Sequence, residues 1–174
     1  GNKLLAEVQT VDALIHVLRC FDEENVPHSE GSIDPVRDME LVDLELQVRD
    51  LDLVTRKLQR VEKLMKNGEK DNKKAYEVLT VYKEALENMQ NARDAKVADE
   101  DKKYIQDIQL LTAKPIMYVC NVDDASALTG NKYTEAVKAS LKEGDEMLII
   151  AGKLESEIAE LDDEDKAMFM EDAG

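Results

Sequence analysis

Apolar residues are distributed along this chain of 174 residues in two rhythms. From Pro35 onward they recur at Leu41, Leu44, Val48, Leu51, Val54, Leu58, Val61 and Met65, always three or four positions apart. That is the period of one face of an α-helix. Asp34-Pro35 supplies a start signal, because Asp can cap a helix and Pro suits its first position. Asn67-Gly68 breaks the pattern and offers a left-handed stop. A second run of the same spacing begins near Asp71 and passes through Ala75, Val78, Tyr82, Ala85 and Met89. Two seams joined by a short polar turn predict a long antiparallel α-helical hairpin, a coiled coil, over residues 34–95. At roughly 1.5 Å per residue its first helix would reach about 50 Å, long enough to project.

Elsewhere the apolar residues come in short, nearly unbroken runs. Ala13–Phe21 (ALIHVLRCF), Lys114–Val122 (KPIMYVCNV) and Glu146–Ala151 (EMLIIA) read as strands covered on both faces. Pro115 can stand only near the start of its strand. Gly1–Thr10, Asp99–Leu110, Lys132–Glu143 and Leu154–Leu161 read as helices, and the acidic 162–172 as a further helical turn or two. Asp22–Ser32, with Pro27 and Gly31, reads as a loop. Strands alternating with helices predict an α/β fold: about three parallel strands, flanking helices and the inserted hairpin. The chain then divides into 1–33 (helix, strand, loop), 34–95 (hairpin) and 96–174 (the rest of the sheet with its loops).

Composition narrows the function classes. A hydrophobic fraction of 43% excludes wholesale disorder. A net charge of -16 disfavours a general role in coating DNA, RNA or an anionic membrane, and aromatics at 4% with no Trp argue against base-stacking platforms. No apolar run is long enough to span a membrane, and the start GNKLLAEVQT has no signal-peptide pattern, so a cytoplasmic protein is expected. Cys20 and Cys120 sit in apolar runs without metal-type spacing and read as buried thiols. His16 reads as a core residue and His28 as a loop residue; the acidic run Glu160–Asp165 lacks the spacing of a calcium loop.

In open α/β sheets ligands bind beyond the carboxyl ends of the strands, so the residues following each strand matter most. The second strand is followed by Asn121-Val122-Asp123-Asp124, the third by Ala151-Gly152-Lys153. An Asn amide offers both donor and acceptor to a purine edge, and a nearby carboxylate can accept from a base N–H. Gly152 lets backbone approach a ring closely, and Lys153 can lay its aliphatic stem over a base.

Taken together, these segments resemble the central part of the Obg-like ATPase (YchF) family, a branch of the P-loop GTPase fold. GNKLLAEVQTVDALIHVLRCF resembles the segment after that family's second switch region, the hairpin its coiled-coil insertion, KPIMYVCNVDD its fifth strand and base-reading motif, and LESEIAELDDEDKAMFMEDAG the stretch leading toward its TGS domain. The resemblance implies a ribosome-associated, translation-related nucleotide-binding protein of the ATPase/GTPase class. It implies ATP (or GTP) as the ligand, with base contacts from Asn121, Val122, Asp124, Ala151, Gly152 and Lys153. GTPases read guanine with Asn-Lys-x-Asp; here Val122 replaces the Lys, which fits a preference for ATP, while Asp124 stands where the family usually has Glu. No GxxxxGK[ST] loop occurs in the sequence, so magnesium is expected only in full-length relatives and these residues alone are not expected to hydrolyse nucleotide.

A local basic patch interrupts the acidic background. Arg56, Lys57, Arg60, Lys63, Lys66, Lys70, Lys73 and Lys74 face only three acids in the same stretch, +5 locally against -21 for the remainder. At the far end of the hairpin this is a candidate contact for ribosomal RNA or another ribosomal surface. A helical-hairpin module that binds such a partner without nucleotide is the alternative reading. The GTPase fold places further strands against the first strand found here, so an exposed sheet edge and self-association are expected.

Overall fold

A computed structural model describes residues 11–22, 32–68, 71–151 and 167–171. The predicted helices at Gly1–Thr10 and Leu154–Leu161 lie outside the described residues. The chain forms two compact units, one from residues 1–41 and 115–174, the other from 42–114.

The first unit is built on a parallel sheet. Strands β1 (Ala13–Arg19), β2 (Ile116–Val122), β3 (Glu146–Ala151) and β4 (Ala167–Glu171) lie in the order β3-β2-β1-β4, and every pairing is parallel. The first three occur where the apolar runs predict them. The fourth adds a strand to the three expected and corrects the expectation of helix over 162–172. Met168 and Met170 alternate along β4 and both are buried, a strand period inside a segment whose acidic flanks suggest helix. β4 also takes the side of β1 expected to be open, leaving β3 and β4 as the outer strands among the described residues. Ile15, Val17 and Val119 form a buried cluster on one face, with Met117 and Ile150 against it. The opposite face carries His16 and Tyr118, paired in register with ring centroids 5.9 Å apart. Helix α3 (Lys132–Ser140) connects β2 to β3 and buries Thr134 and Val137.

Helix α1 (Pro35–Lys66) starts at the expected signal: Asp34 Oδ1 accepts from Arg37 N at 3.1 Å. It ends at Asn67-Gly68, where Gly68 has φ 88°. Helix α2 (Asp71–Glu87) returns, and the second unit closes around Val54, Val61, Val78, Leu79, Tyr82 and Leu86.

The unit differs from a simple hairpin in one respect. α2 has 17 residues against 32 in α1, so it cannot cover the first half of its partner. The return leg is completed by 3-10 turns at Ala92–Asp94, Asp99–Ile105 and Leu111–Ala113, where the sequence suggests a regular helix over Asp99–Leu110. Residues 96–114, grouped by sequence with the sheet, therefore pack within the unit that contains the hairpin. Tertiary bonds account for this strap. Gln47 donates to Asn91 Oδ1 at 2.8 Å, Lys57 donates to Tyr104 O and Asp107, and Asp50 accepts from Leu111 N at 3.1 Å and Thr112 N at 2.7 Å. The buried face of α1 shifts accordingly. Leu41, Leu44 and Val48 of the apolar seam are 48%, 44% and 62% exposed, while Leu46, Gln47 and Asp50 turn inward.

Candidate functional site

The parallel strands deliver their carboxyl ends to one edge of the sheet. Register sets Arg19 beside Asn121, Asn121 beside Ile150, and Val122 beside Ala151. Asn121 and Ala151 thus stand at the ends of adjacent strands, as the sequence predicts. Strand alternation puts Asn121 and Arg19 on one face and Val122 with Cys120 on the other. Val122 is 3% exposed and packs inward, whereas Asn121 is half-buried and Asp124 exposed. Gly152 and Lys153 lie outside the described residues.

The turn after β2 is held by its own side chains. Asp123 Oδ1 accepts from Ser126 N at 3.0 Å, so this carboxylate closes the 3-10 turn Asp124–Ser126. The Asp124 carboxylate stands exposed at the surface of this turn. Gly130 has φ 74°, and a Cβ there would lie 2.6 Å from Thr134 Oγ1. Only glycine admits both the left-handed backbone and the close approach. Next, Asn131 caps α3: its Oδ1 accepts from Tyr133 N at 2.9 Å and Thr134 N at 3.0 Å, and Thr134 Oγ1 accepts from Asn131 N at 2.8 Å. The Asn131 amide also donates to Cys20 O at 2.7 Å, tying the start of α3 to the end of β1. Tyr133 donates to Asp22 Oδ1, which raises the Tyr133 hydroxyl above its ordinary value because the proton is held in that bond.

Four of these residues are invisible to motif reading. Arg19, 8% exposed with its guanidinium 4.9 Å above the Phe21 ring, shares the Asn121 face at the strand ends. The charged position inside ALIHVLRCF was the available signal. Asp22, Asn131 and Tyr133 come together only through folding. Cys20 and Cys120 are buried free thiols, as expected, and a hydrogen bond from Cys20 holds the Cys120 thiol below its usual value. Among the described residues there is no group of His, Cys, Asp and Glu able to hold a metal ion, and no helix long and apolar enough to cross a membrane.

The basic stretch is partly spent on internal ion pairs. Lys57 meets Asp107 at 2.5 Å, Arg56 meets Asp52 at 3.1 Å, Lys74 meets Asp101 at 3.6 Å and Lys66 meets Glu62 at 3.8 Å. With only 15% of its side chain exposed, Lys57 belongs to the strap contacts. Arg60, Lys63 and Lys73 are exposed. Lys70 lies outside the described residues.

No family model matches the chain. Among curated proteins it is similar to the ribosome-binding ATPase YchF of Bacillus subtilis, 39% identical over 177 residues, with all of this chain and 48% of that protein covered. The ribosome-binding ATPase YchF of Haemophilus influenzae is 38% identical over 175 residues with the same coverage. Obg-like ATPase 1 of Caenorhabditis elegans is 30% identical over 179 residues, covering all of this chain and 45% of that protein. Among solved structures, the Schizosaccharomyces pombe YchF GTPase superposes with a TM-score of 0.76 at 27% identity, covering 96% of this chain and 50% of that one. The chain spans about half the length of the relatives it matches.

Proposed function

The chain belongs to the Obg-like ATPase (YchF) family, and on that premise we propose that its sheet unit supplies the purine-binding edge of an ATP-preferring nucleotide site in a cytoplasmic, ribosome-associated protein. One observation carries this reading. Asn121, at the end of β2, is set in register next to the end of β3, with the exposed Asp124 turn beside it. Asn121 would pair with the base edge and Asp124 would accept from it. Ala151, Gly152 and Lys153 would cover the ring from the neighbouring strand end. Val122 contributes by filling the core beneath the loop, since its burial leaves it no path to the base. The 174 residues hold no phosphate-cradling GxxxxGK[ST] loop, so hydrolysis is not assigned to them. Titrating the chain with fluorescently labelled ATP and GTP in parallel tests the reading. Saturable binding tighter for ATP, weakened about tenfold by Asn121→Ala through loss of a bidentate hydrogen bond, is the expected result. Equal affinity of the variant and the parent would remove Asn121 from the site.

The exposed Arg60, Lys63 and Lys73 favour a second role for the same protein, contact with ribosomal RNA through the hairpin. Such contacts act on phosphates and release counterions. Reversing the three charges should lower ribosome co-sedimentation and reduce the slope of its salt dependence by about three, one per phosphate lost. Unchanged pelleting at every salt concentration would refute it.

A further inference from the structure

The strap of the second unit encloses a cleft of about 240 Å³ whose lining includes Arg93, Lys102 and Lys114, the glutamines Gln106 and Gln109, and Tyr82 in its floor. None of the residues lining it is acidic. Arg93 is fixed there: its Nε donates to Lys114 O at 2.7 Å. Its Nη2 is buried and has no hydrogen-bond partner among the described residues. Lys114 is oriented by Gln109 Oε1 at 3.0 Å, while Lys102 meets Asp99 at 2.8 Å, an acid whose side chain is 96% exposed. An exposed pair of that kind yields readily to a better anion. The Arg93 guanidinium is part-buried and held in place by Lys114 O, so its charge stands at the cleft together with those of Lys102 and Lys114, and such a cluster of cations matches the oxygens of a tetrahedral anion.

We propose that this cleft binds a phosphate group through the charges of Arg93, Lys102 and Lys114. Three cations on one small site favour a dianion over a monocarboxylate. Ala92, Ile105, Leu110 and Ala113 give part of the lining an apolar character that a small organic portion can meet, so the group can come from a free phosphorylated metabolite or from the phosphorylated end of an RNA. The site is independent of the sheet edge described above.

The test is a titration of the full chain with inorganic phosphate at constant ionic strength, followed by the amide resonances of 91–114. Saturable shifts confined to that segment are expected. Arg93→Lys, which keeps a charge but loses the guanidinium that Lys114 O orients, should weaken them about tenfold. If Arg93→Lys does not fold, Lys102→Gln alters only an exposed side chain and should weaken binding several-fold. Asn121→Ala should leave phosphate binding unchanged while impairing nucleotide binding, so failure at either site is recognisable separately. A short RNA with and without a 5′-phosphate identifies the source: tighter binding of the phosphorylated form than of inorganic phosphate assigns the RNA end, and equal or weaker binding assigns a free ligand. No saturable shift with any phosphate probe, or shifts indifferent to both Arg93→Lys and Lys102→Gln, would overturn the proposal.

Discussion

Asp50→Ala should destabilise the unit of residues 42–114 by about 3–5 kcal/mol, measured by urea unfolding followed by circular dichroism. Asp50 is fully buried on α1, and its carboxylate accepts from Leu111 N and Thr112 N and meets Arg49 at 2.7 Å. Removing it strands two buried backbone N–H groups, each costing about 1–3 kcal/mol, and leaves Arg49 without this partner. Thr112 extends the chain of bonds, since its hydroxyl accepts from Ala92 N at 2.9 Å. Asp50→Asn keeps one acceptor oxygen and should recover roughly half the loss. The pH dependence has a definite sign. Burial is the largest influence on Asp50 and raises it above 3.8, against the lowering effects of Thr112, Arg49 and Leu111. A carboxyl raised in the folded state contributes stability that is full below its unfolded value and is lost as pH rises through the folded one. The gap between the parent and Asp50→Asn should therefore narrow upward through that window. A loss below about 1 kcal/mol for Asp50→Ala would show that the strap is held by apolar packing alone.

Asn131→Ala should cost about 2–4 kcal/mol, combining a lost helix cap with a stranded carbonyl. The amide serves two partners at once: the first turn of α3 and Cys20 O at the end of β1. Asn131→Ser separates them, because a hydroxyl can still cap but is too short to reach β1. Its expected loss is about half that of Asn131→Ala, from the carbonyl alone. Nucleotide titration of both variants follows the consequence, since the turn after Asn121 runs directly into this cap. If Asn131→Ser matched the parent in stability, the link to Cys20 would carry no energy.

Much of the architecture is legible along the chain. The three apolar runs, the Asp34-Pro35 start and the Asn67-Gly68 stop all mark real boundaries, because each depends on local backbone preference and burial. What escapes is decided by distant partners. Asp99 looks like a helix cap, yet the segment after it adopts 3-10 turns whose ends are held from α1 through Lys57 and Asp50. β4 is a strand because β1 offers it a ladder, a fact absent from its own acidic surroundings. The seam of α1 predicts one continuous period, but its early half turns Gln47 and Asp50 inward because polar strap groups await them. In the candidate site, Asn121 and Asp124 follow from their place after a strand. Arg19 and Asn131 do not, since Arg19 lies inside a strand run and Asn131 reaches the end of β1 only through folding. The burial of Val122 could have been read from alternation, as it shares a face with Cys120.

The division of the chain also orders its synthesis. Residues 42–114 are contiguous, so that unit can fold as soon as it emerges from the ribosome. β1 emerges before that unit, whereas β2 and β4, which pair with it, are made after it. At ordinary elongation rates the stretch between Arg19 and Ile116 takes about 5–20 s to make, so the β1–β2 ladder closes late. During that interval the nascent strand is open to wrong pairings. Joining of β1 to β2 and β4 should accordingly follow the folding of residues 42–114, as a pairing between segments far apart along the chain.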